Sequence, residues 1–373
     1  MIKRFLHLAD LHIGKKLGDY SLLNDQKNVL EQALAVAEGC DGVFIAGDVY
    51  DKPNPSVEAM AVFDSFLTEL AGKQKPVYII SGNHDSAGRI SYFGKLLESS
   101  RITVSAPFSG ELQSVSFPEE DNIQIWLLPF LTPSRVREFF KEEKINSYED
   151  AVRTVLAHAP VNPEKINILL AHQFITGGPI SEEEFAVGGL DNISAEVFAD
   201  FDYVALGHLH CPQLCGRKTI RYAGSPLKYS FSEEHQKKSF TVVTVQDKQN
   251  ILTEQIPVSL PHDVRTIKGT FAELSQMPFS QDYVQIILTD EILVPDARMY
   301  LRNQFPRTCR FSIQNSRLRT DASVMPETSE KMQSPAEMFR LFWMHQNQNQ
   351  EPAEPQMQIV RQIFEELEQE EFL

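Results

Sequence analysis

Short apolar runs bounded by Gly, Pro, Asp or Asn recur through the first two-thirds of the chain. Residues 2–8, 42–46, 77–80, 123–128, 166–171 and 203–206 read as buried strands. Between the early ones lie helical patterns: residues 23–37 place Leu23, Leu30, Leu34 and Ala37 on one side, and residues 57–70 behave similarly. Strand–helix alternation predicts a layered α/β domain. Residues 219–223 and 240–245 read as meander strands, which makes the sheet mixed or doubled. Near residues 257–261 the pattern restarts. Strands at 264–269, 283–289 and 309–313, with a helix over 297–303, form a small α/β unit appended to the first.

Residues 321–333 are polar and lack a period, as expected of a linker. Ser334-Pro335-Ala336-Glu337 then places Ser at the N-cap, Pro at the first helical position and Glu at the third, a helix start. Residues 347–355 break that helix. Met357, Val360, Ile363, Phe364 and Leu367 follow at helical spacing with acids opposite. The expected units are residues 1–255, 262–320, a linker over 321–333, and a helical region over 334–373. Met338, Phe339, Leu341, Phe342, Trp343 and Met344 are more apolar surface than one face of a short helix hides, so the helical region is expected to dock on a partner.

Composition narrows the class. A chain of 373 residues exceeds one ordinary core, and 42% hydrophobic with 23% charged residues is an ordinary soluble balance. No apolar run reaches the roughly 18 residues needed to span a bilayer, and residues 1–8 lack a signal-peptide core, so a cytoplasmic protein is expected. Four scattered cysteines argue for reduced structural thiols; the Cys211/Cys215 spacing alone is a weak zinc signal. A net charge of −16 argues against indiscriminate polyanion binding. The charge is uneven, however. Residues 297–320 hold six arginines and no acid: Arg298, Arg302, Arg307, Arg310, Arg317 and Arg319. This segment is compatible with a nucleic-acid partner, or is a solvated basic surface.

Five segments at strand ends carry candidate chemistry. Asp10-Leu11-His12 can aim a carboxylate and an imidazole at one point. In Gly47-Asp48-Val49-Tyr50-Asp51, glycine lets the turn pass close to an ion, and a carboxylate such as Asp48 suits bridging two cations. In Gly82-Asn83-His84-Asp85, Asn83 offers a neutral oxygen, His84 can donate a proton, and Asp85 can accept from its other nitrogen. His172 closes the strand 166–171. Gly207-His208-Leu209-His210 places two rings on the same side of extended chain. Alone, most of these read as polar turns or a satisfied core histidine. Together they put seven oxygen and nitrogen donors, and no thiol, at one edge of a layered α/β domain. That set fits a hard or borderline ion pair such as Mn²⁺.

The order D-x-H, G-D-x-x-D, G-N-H-D, H, G-H-x-H over residues 10–210 resembles the calcineurin-like metallophosphoesterase superfamily. Gly82 to Ser86 with Arg89, Pro129-Phe130, Val187-Gly188-Gly189, Tyr203 to His210 and Tyr222 to Pro226 sharpen this to a resemblance to the SbcD nuclease subunit family. The resemblance implies an α/β/β/α sandwich with a small α/β cap and C-terminal helices. It implies one metal on Asp10, His12, Asp48 and His210 and another on Asp48, Asn83, His172 and His208, as two Mn²⁺ with Mg²⁺ able to stand in. His84 then faces the scissile phosphate, with Asp85 behind it. It implies DNA as substrate, a homodimer, and an SbcC-like coiled-coil ATPase as partner for the helical region. Arg302, Arg307 and Arg310 are the expected DNA contacts. The rival reading is a stand-alone phosphodiesterase acting on a small phosphoester, which leaves the arginine segment and the C-terminal helices without a role.

Overall fold

The computed structural model describes residues 2–118, 120–175, 192–314, 335–346 and 351–370. Its centre is two six-stranded sheets stacked face to face. In the first, Lys3–Leu8, Gly42–Ala46, Val77–Ile80 and Ile102–Val104 run parallel, and Ser239–Val245 and Ile251–Pro257 extend it antiparallel. In the second, Glu120–Leu128, Ile166–His172, Tyr203–Gly207 and Arg217–Tyr222 run parallel, with Gln113–Phe117 and Gln213–Cys215 antiparallel at its edges.

Strand alternation sorts the side chains into three layers. Phe44, Ala46, Tyr78 and Ile80 of the first sheet meet Ile125, Leu127, Ile168, Leu170 and Ala205 of the second in the middle layer. Val43, Ile45, Val77 and Ile79 point the other way, under the helices Leu23–Glu38 and Val57–Gly72. Trp126, Leu128, Leu169, Val204 and Leu206 lie under the helix Tyr148–Ala157. Burial on both faces explains why these strands read as continuous apolar runs. The layers are α/β/β/α, and the sheet is doubled. Edge strands such as Gln113–Phe117 escape the sequence pattern because they carry polar residues and are only partly buried. Helix starts are set locally. Ser56 accepts from the Ala59 amide, and Ser147 and Asp150 form a capping box, each cap worth ~1 kcal/mol.

The appended unit has its own parallel sheet of Val264–Gly269, Tyr283–Leu288 and Thr308–Ile313. The helix Ala297–Gln304 buries Leu301 against Ile267, Val284, Ile286 and Phe305. The unit is seated on the sandwich by polar contacts: His262 to Asp25 at 3.0 Å, Tyr20 Oη to the Pro306 carbonyl at 2.7 Å, and Lys228 to Asp263 at 2.7 Å. Two of the three arginines expected on DNA take part in packing. Arg307 lies over the Tyr283 ring at 5.2 Å and donates to the Gln281 carbonyl, and Arg310 lies over Phe231 at 5.6 Å. Arg302 is exposed in the last turn of its helix.

Helices Pro335–Gln346 and Glu354–Glu370 pack on each other, with an Arg340–Glu351 ion pair of 2.9 Å. Phe342, Ile359 and Ile363 are exposed on them. The expected linker 321–333, the N-cap Ser334, Arg317, Arg319 and the 187–189 motif lie outside the described residues. All four cysteines are thiols outside any disulfide. Among the described residues, no helix is long and apolar enough to cross a membrane.

Candidate metal centre

All five motifs sit at the carboxyl ends of parallel strands, where the two sheets present a common edge. Asp10 follows Lys3–Leu8, Asp48 follows Gly42–Ala46, Asn83 follows Val77–Ile80, His172 ends its strand, and His208 follows Tyr203–Gly207. The motifs are laced together by backbone groups. The His208 amide donates to Asp10 Oδ1 at 2.8 Å, and the His84 amide donates to Asp48 Oδ1 at 2.8 Å. Each carboxylate is thus fixed through one oxygen and offers the other.

The offered atoms converge. Asp48 Oδ2 lies 3.5 Å from His12 Nε2 and 3.3 Å from His172 Nε2. His12 Nε2 lies 3.1 Å from His210 Nε2, and Asp10, His12 and His210 form one cluster of potential ligand atoms. Asn83 Oδ1 lies 3.1 Å from His172 Nε2 and 3.0 Å from His208 Nδ1. Such spacings suit neighbouring ligands of a cation bound at about 2.1 Å. Asp10 Oδ2, His12 Nδ1 and His208 Nε2 are buried without a hydrogen-bond partner. Seven nitrogen and oxygen donors, with orphaned buried atoms among them, fit two divalent cations.

Glycine makes the approach feasible. A Cβ on Gly207 would stand 1.9 Å from the Ala46 carbonyl oxygen, and one on Gly82 would stand 2.1 Å from Asp48 Oδ1. Four non-glycine residues at this edge adopt left-handed φ: Asp10 at 51°, His12 at 42°, Asp48 at 49° and His208 at 110°. Phe130 packs near His172 and His208, with ring centroids 6.4 Å from each, which gives the Pro129-Phe130 motif a wall role.

The electrostatics follow from burial and crowding. Burial, with the Asp48 charge adding to it, raises the Asp10 carboxyl to about 7 against the pull of His172 and His210. Burial also works upward on Asp48, but the imidazoles of His172 and His84 outweigh it and hold the carboxyl well below the usual range. Burial works downward on His172, yet the Asp48 carboxylate holds it up to about 9. Burial and the neighbouring His172 push His208 down to about 3. Two carboxylates and four imidazoles are crowded into one buried cluster, and a cation bound there would compete with the His172 proton for Asp48.

His84 stands beside the cluster, half-buried, with its ring 4.7 Å from that of His12. The expected support by Asp85 is not what holds it. Asp85 is spent on the backbone amides of Val49, Tyr50 and Gly82 at 2.9–3.1 Å, so it braces two motif turns against each other. The His84 Nδ1–H instead donates to the Asp51 carbonyl at 3.1 Å, which leaves Nε2 out of that bond. Sequence reasoning also missed Tyr229, whose ring lies 5.4 Å from His12 and 5.7 Å from His210, and Glu233, 3.1 Å from His210 Nδ1. No spacing rule links a residue 23 positions downstream to the last motif. The one available signal was the Tyr222–Pro226 turn, which folds back so that the Ser225 amide donates to the His210 carbonyl at 3.0 Å.

A family model described as calcineurin-like phosphoesterase matches residues 3–212, and one described as type 5 capsule protein repressor C-terminal domain matches residues 260–347. The stacked sheets and their donor-lined edge thus define a metal-dependent phosphoesterase of the calcineurin-like class, with a site for two divalent cations. The SbcD subunit of the SbcCD nuclease from Staphylococcus epidermidis is 32% identical over 321 residues, covering 83% of this chain and 85% of that relative. The protein of the same name from Staphylococcus saprophyticus is 30% identical over 316 residues, covering 82% and 83%. A crystal structure of a dimetal phosphatase from Danio rerio covers 69% of this chain and 99% of its own, at 13% identity and a TM-score of 0.38. The chain belongs to the SbcD family.

Proposed function

We propose that this chain is the nuclease subunit of an ATPase–nuclease complex that cuts DNA in repair and recombination, as an exonuclease on duplex ends and an endonuclease on single strands or hairpins. The observation that carries the reading is Asp48 Oδ2, placed between His12 Nε2 and His172 Nε2 as a shared ligand would be. Asp10, His12, Asp48 and His210 hold one Mn²⁺, and Asp48, Asn83, His172 and His208 hold the other, with Mg²⁺ able to replace them. When bound, the two cations supply an activated water and neutralise the phosphate oxygens.

The chain's own groups do the rest. The His208 and His84 amides fix the rotamers of Asp10 and Asp48, so that the offered oxygens need no reorganisation. His84, oriented by the Asp51 carbonyl, gives a proton to the leaving 3′ oxygen through Nε2. Asp85 keeps the turns carrying Asp48 and Asn83 in register.

The catalytic unit is residues 1–255, and the unit over 262–320 caps it and grips the DNA backbone. Arg302 is the arginine best placed for a phosphate; Arg307 and Arg310 contribute from the seam between the units. The helices beyond the linker dock on the base of an SbcC-like coiled coil through Phe342, Ile359 and Ile363, and the nuclease acts as a homodimer in the cytoplasm. The names of the staphylococcal relatives support the nuclease subunit of an SbcCD-type complex.

One assay tests the reading against its rival. Mn²⁺-dependent degradation of linear duplex DNA by the purified chain, alone and with its coiled-coil ATPase, is the expected result. Hydrolysis confined to small phosphoesters would make it a stand-alone phosphodiesterase, and no hydrolysis at all would make it a non-catalytic scaffold.

A further inference from the structure

Next to the seven donors lies a buried ionic group that the mechanism above does not use. Glu233 and Lys238 are both fully buried and pair at 2.6 Å. The second Glu233 oxygen, Oε1, lies 3.1 Å from His210 Nδ1. The Lys238 ammonium also reaches the His210 carbonyl at 3.0 Å, Ser225 Oγ at 2.8 Å and Gln236 Oε1 at 2.7 Å. A buried ion pair is a poor source of stability, because desolvation cancels most of its attraction. Its placement against the last donor is better explained by what it does to His210.

An imidazole that ligates through Nε2 must carry its proton on Nδ1. His210 Nε2 faces His12 Nε2 and the Asp10 side of the cluster. An ionised carboxylate only accepts hydrogen bonds, so Glu233 at Nδ1 admits the Nδ1–H tautomer alone. Lys238 supplies only donors, which keeps Glu233 an acceptor and ties it to the backbone of His210 itself. His12 offers the contrast, since its Nδ1 has no hydrogen-bond partner. Glu234, the next residue, takes the Thr266 amide at 2.6 Å, so the turn bearing Glu233 is pinned from the cap side as well.

We propose that Glu233 is a positioning residue for metal binding: it locks His210 as the Nδ1–H tautomer and aims Nε2 at the cation held with Asp10 and His12, while Lys238 holds Glu233 in place. The proposal rests on the two-metal reading of the site.

The test is Mn²⁺ binding, measured by titration and elemental analysis without substrate, in full-length wild type and two double variants. Both variants remove the buried pair as a unit, so neither strands an unpaired charge. Glu233→Gln with Lys238→Met keeps an acceptor for Nδ1–H and is expected to bind two Mn²⁺ with affinity close to wild type. Glu233→Leu with Lys238→Met removes the acceptor, and one of its two sites is expected to weaken by about 10–100-fold. Equal affinities in all three proteins would overturn the proposal and leave the two-metal reading standing. A wild type that binds fewer than two Mn²⁺ would take both down. A second measurement needs no variant of the pair. In ¹⁵N-histidine spectra of metal-free wild type, with His210 assigned by its loss in His210→Gln, Nδ1 should be the protonated nitrogen. A protonated Nε2 with bare Nδ1 would overturn the proposal on its own.

Discussion

The sandwich and the cap are both built around parallel strands, yet the ends of those strands behave in opposite ways. In the cap, the polar groups that follow the first two strands are satisfied close by. Thr270 and Glu273 form a capping box after Val264–Gly269, and Asp290 accepts from the Phe271 amide at 2.7 Å. Its one left-handed non-glycine residue among those described is Asp296. At the sandwich edge, four donor residues are left-handed, and buried polar atoms of Asp10, His12 and His208 lack partners. Each strained residue costs on the order of 1–3 kcal/mol, which the stacked sheets must offset. The difference locates function: one set of strand ends obeys local rules, and the other is held against them by long-range contacts so that donors can converge.

The sharpest way to break that contrast is to remove the donor proposed to be shared. Asp48→Ala is expected to empty both cation sites and to lower hydrolysis by on the order of 10³–10⁵, the several kcal/mol that bound cations contribute. Elemental analysis alongside a rate measurement checks it, and retention of two metals would show that Asp48 is not shared. His84→Ala should separate the two readouts. Metal content stays at the wild-type level while the rate falls by about 10²–10⁴. Loss of metal in this variant would move His84 into the donor set.

Matched glycine changes probe the two edges directly. Gly207→Ala puts a Cβ 1.9 Å from backbone at the sandwich edge, whereas Gly269→Ala in the cap meets side chains alone, the tip of Glu273 at 3.0 Å and Leu274 Cδ2 at 3.4 Å. Overpacking should cost the first variant about 1–3 kcal/mol or more, together with its metal, and the second much less. Urea unfolding with metal analysis would expose equal effects if the edges were alike.

A pH effect is expected from the sandwich interior. His7 is fully buried between Tyr203 and the Leu206 carbonyl, and burial, helped by the Arg221 charge, lowers it to about 3 from 6.5. The unfolded chain therefore binds this proton between those values and the folded chain does not. Stability is unaffected by His7 above pH 6.5 and falls below it, by up to ~1.4 kcal/mol per pH unit. His7→Gln should flatten the stability profile between pH 6.5 and 5 by that amount. Parallel profiles for the two proteins would assign the acid sensitivity elsewhere.

The smallest expected effect lies in the cap. Arg302→Ala should weaken DNA binding and lower the salt slope by about 1, without changing hydrolysis of a small phosphoester. Arg302 makes the cleaner test, because replacing Arg307 or Arg310 also removes packing on Tyr283 or Phe231. An unchanged slope would return Arg302 to a solvated surface.

The sequence alone determined the strands that are buried on both faces, the restart of the pattern near residue 260, and the seven candidate donors. These are local signals: apolar runs, turn residues at strand ends, and chemistry that only Asp, Asn or His can supply. Tertiary structure decided the rest. That Asp85 braces backbone turns and the Asp51 carbonyl orients His84 could not be read from Gly82-Asn83-His84-Asp85, because hydrogen-bond partners are chosen by which turns the sheets bring together. The same holds for Arg307 and Arg310, which look free in a run without acids but meet aromatic rings from distant segments. Glu233 and Lys238 are the extreme case. In sequence they are ordinary surface-type charges, and only folding the chain back past Ser225 buries them against His210, where desolvation makes them matter.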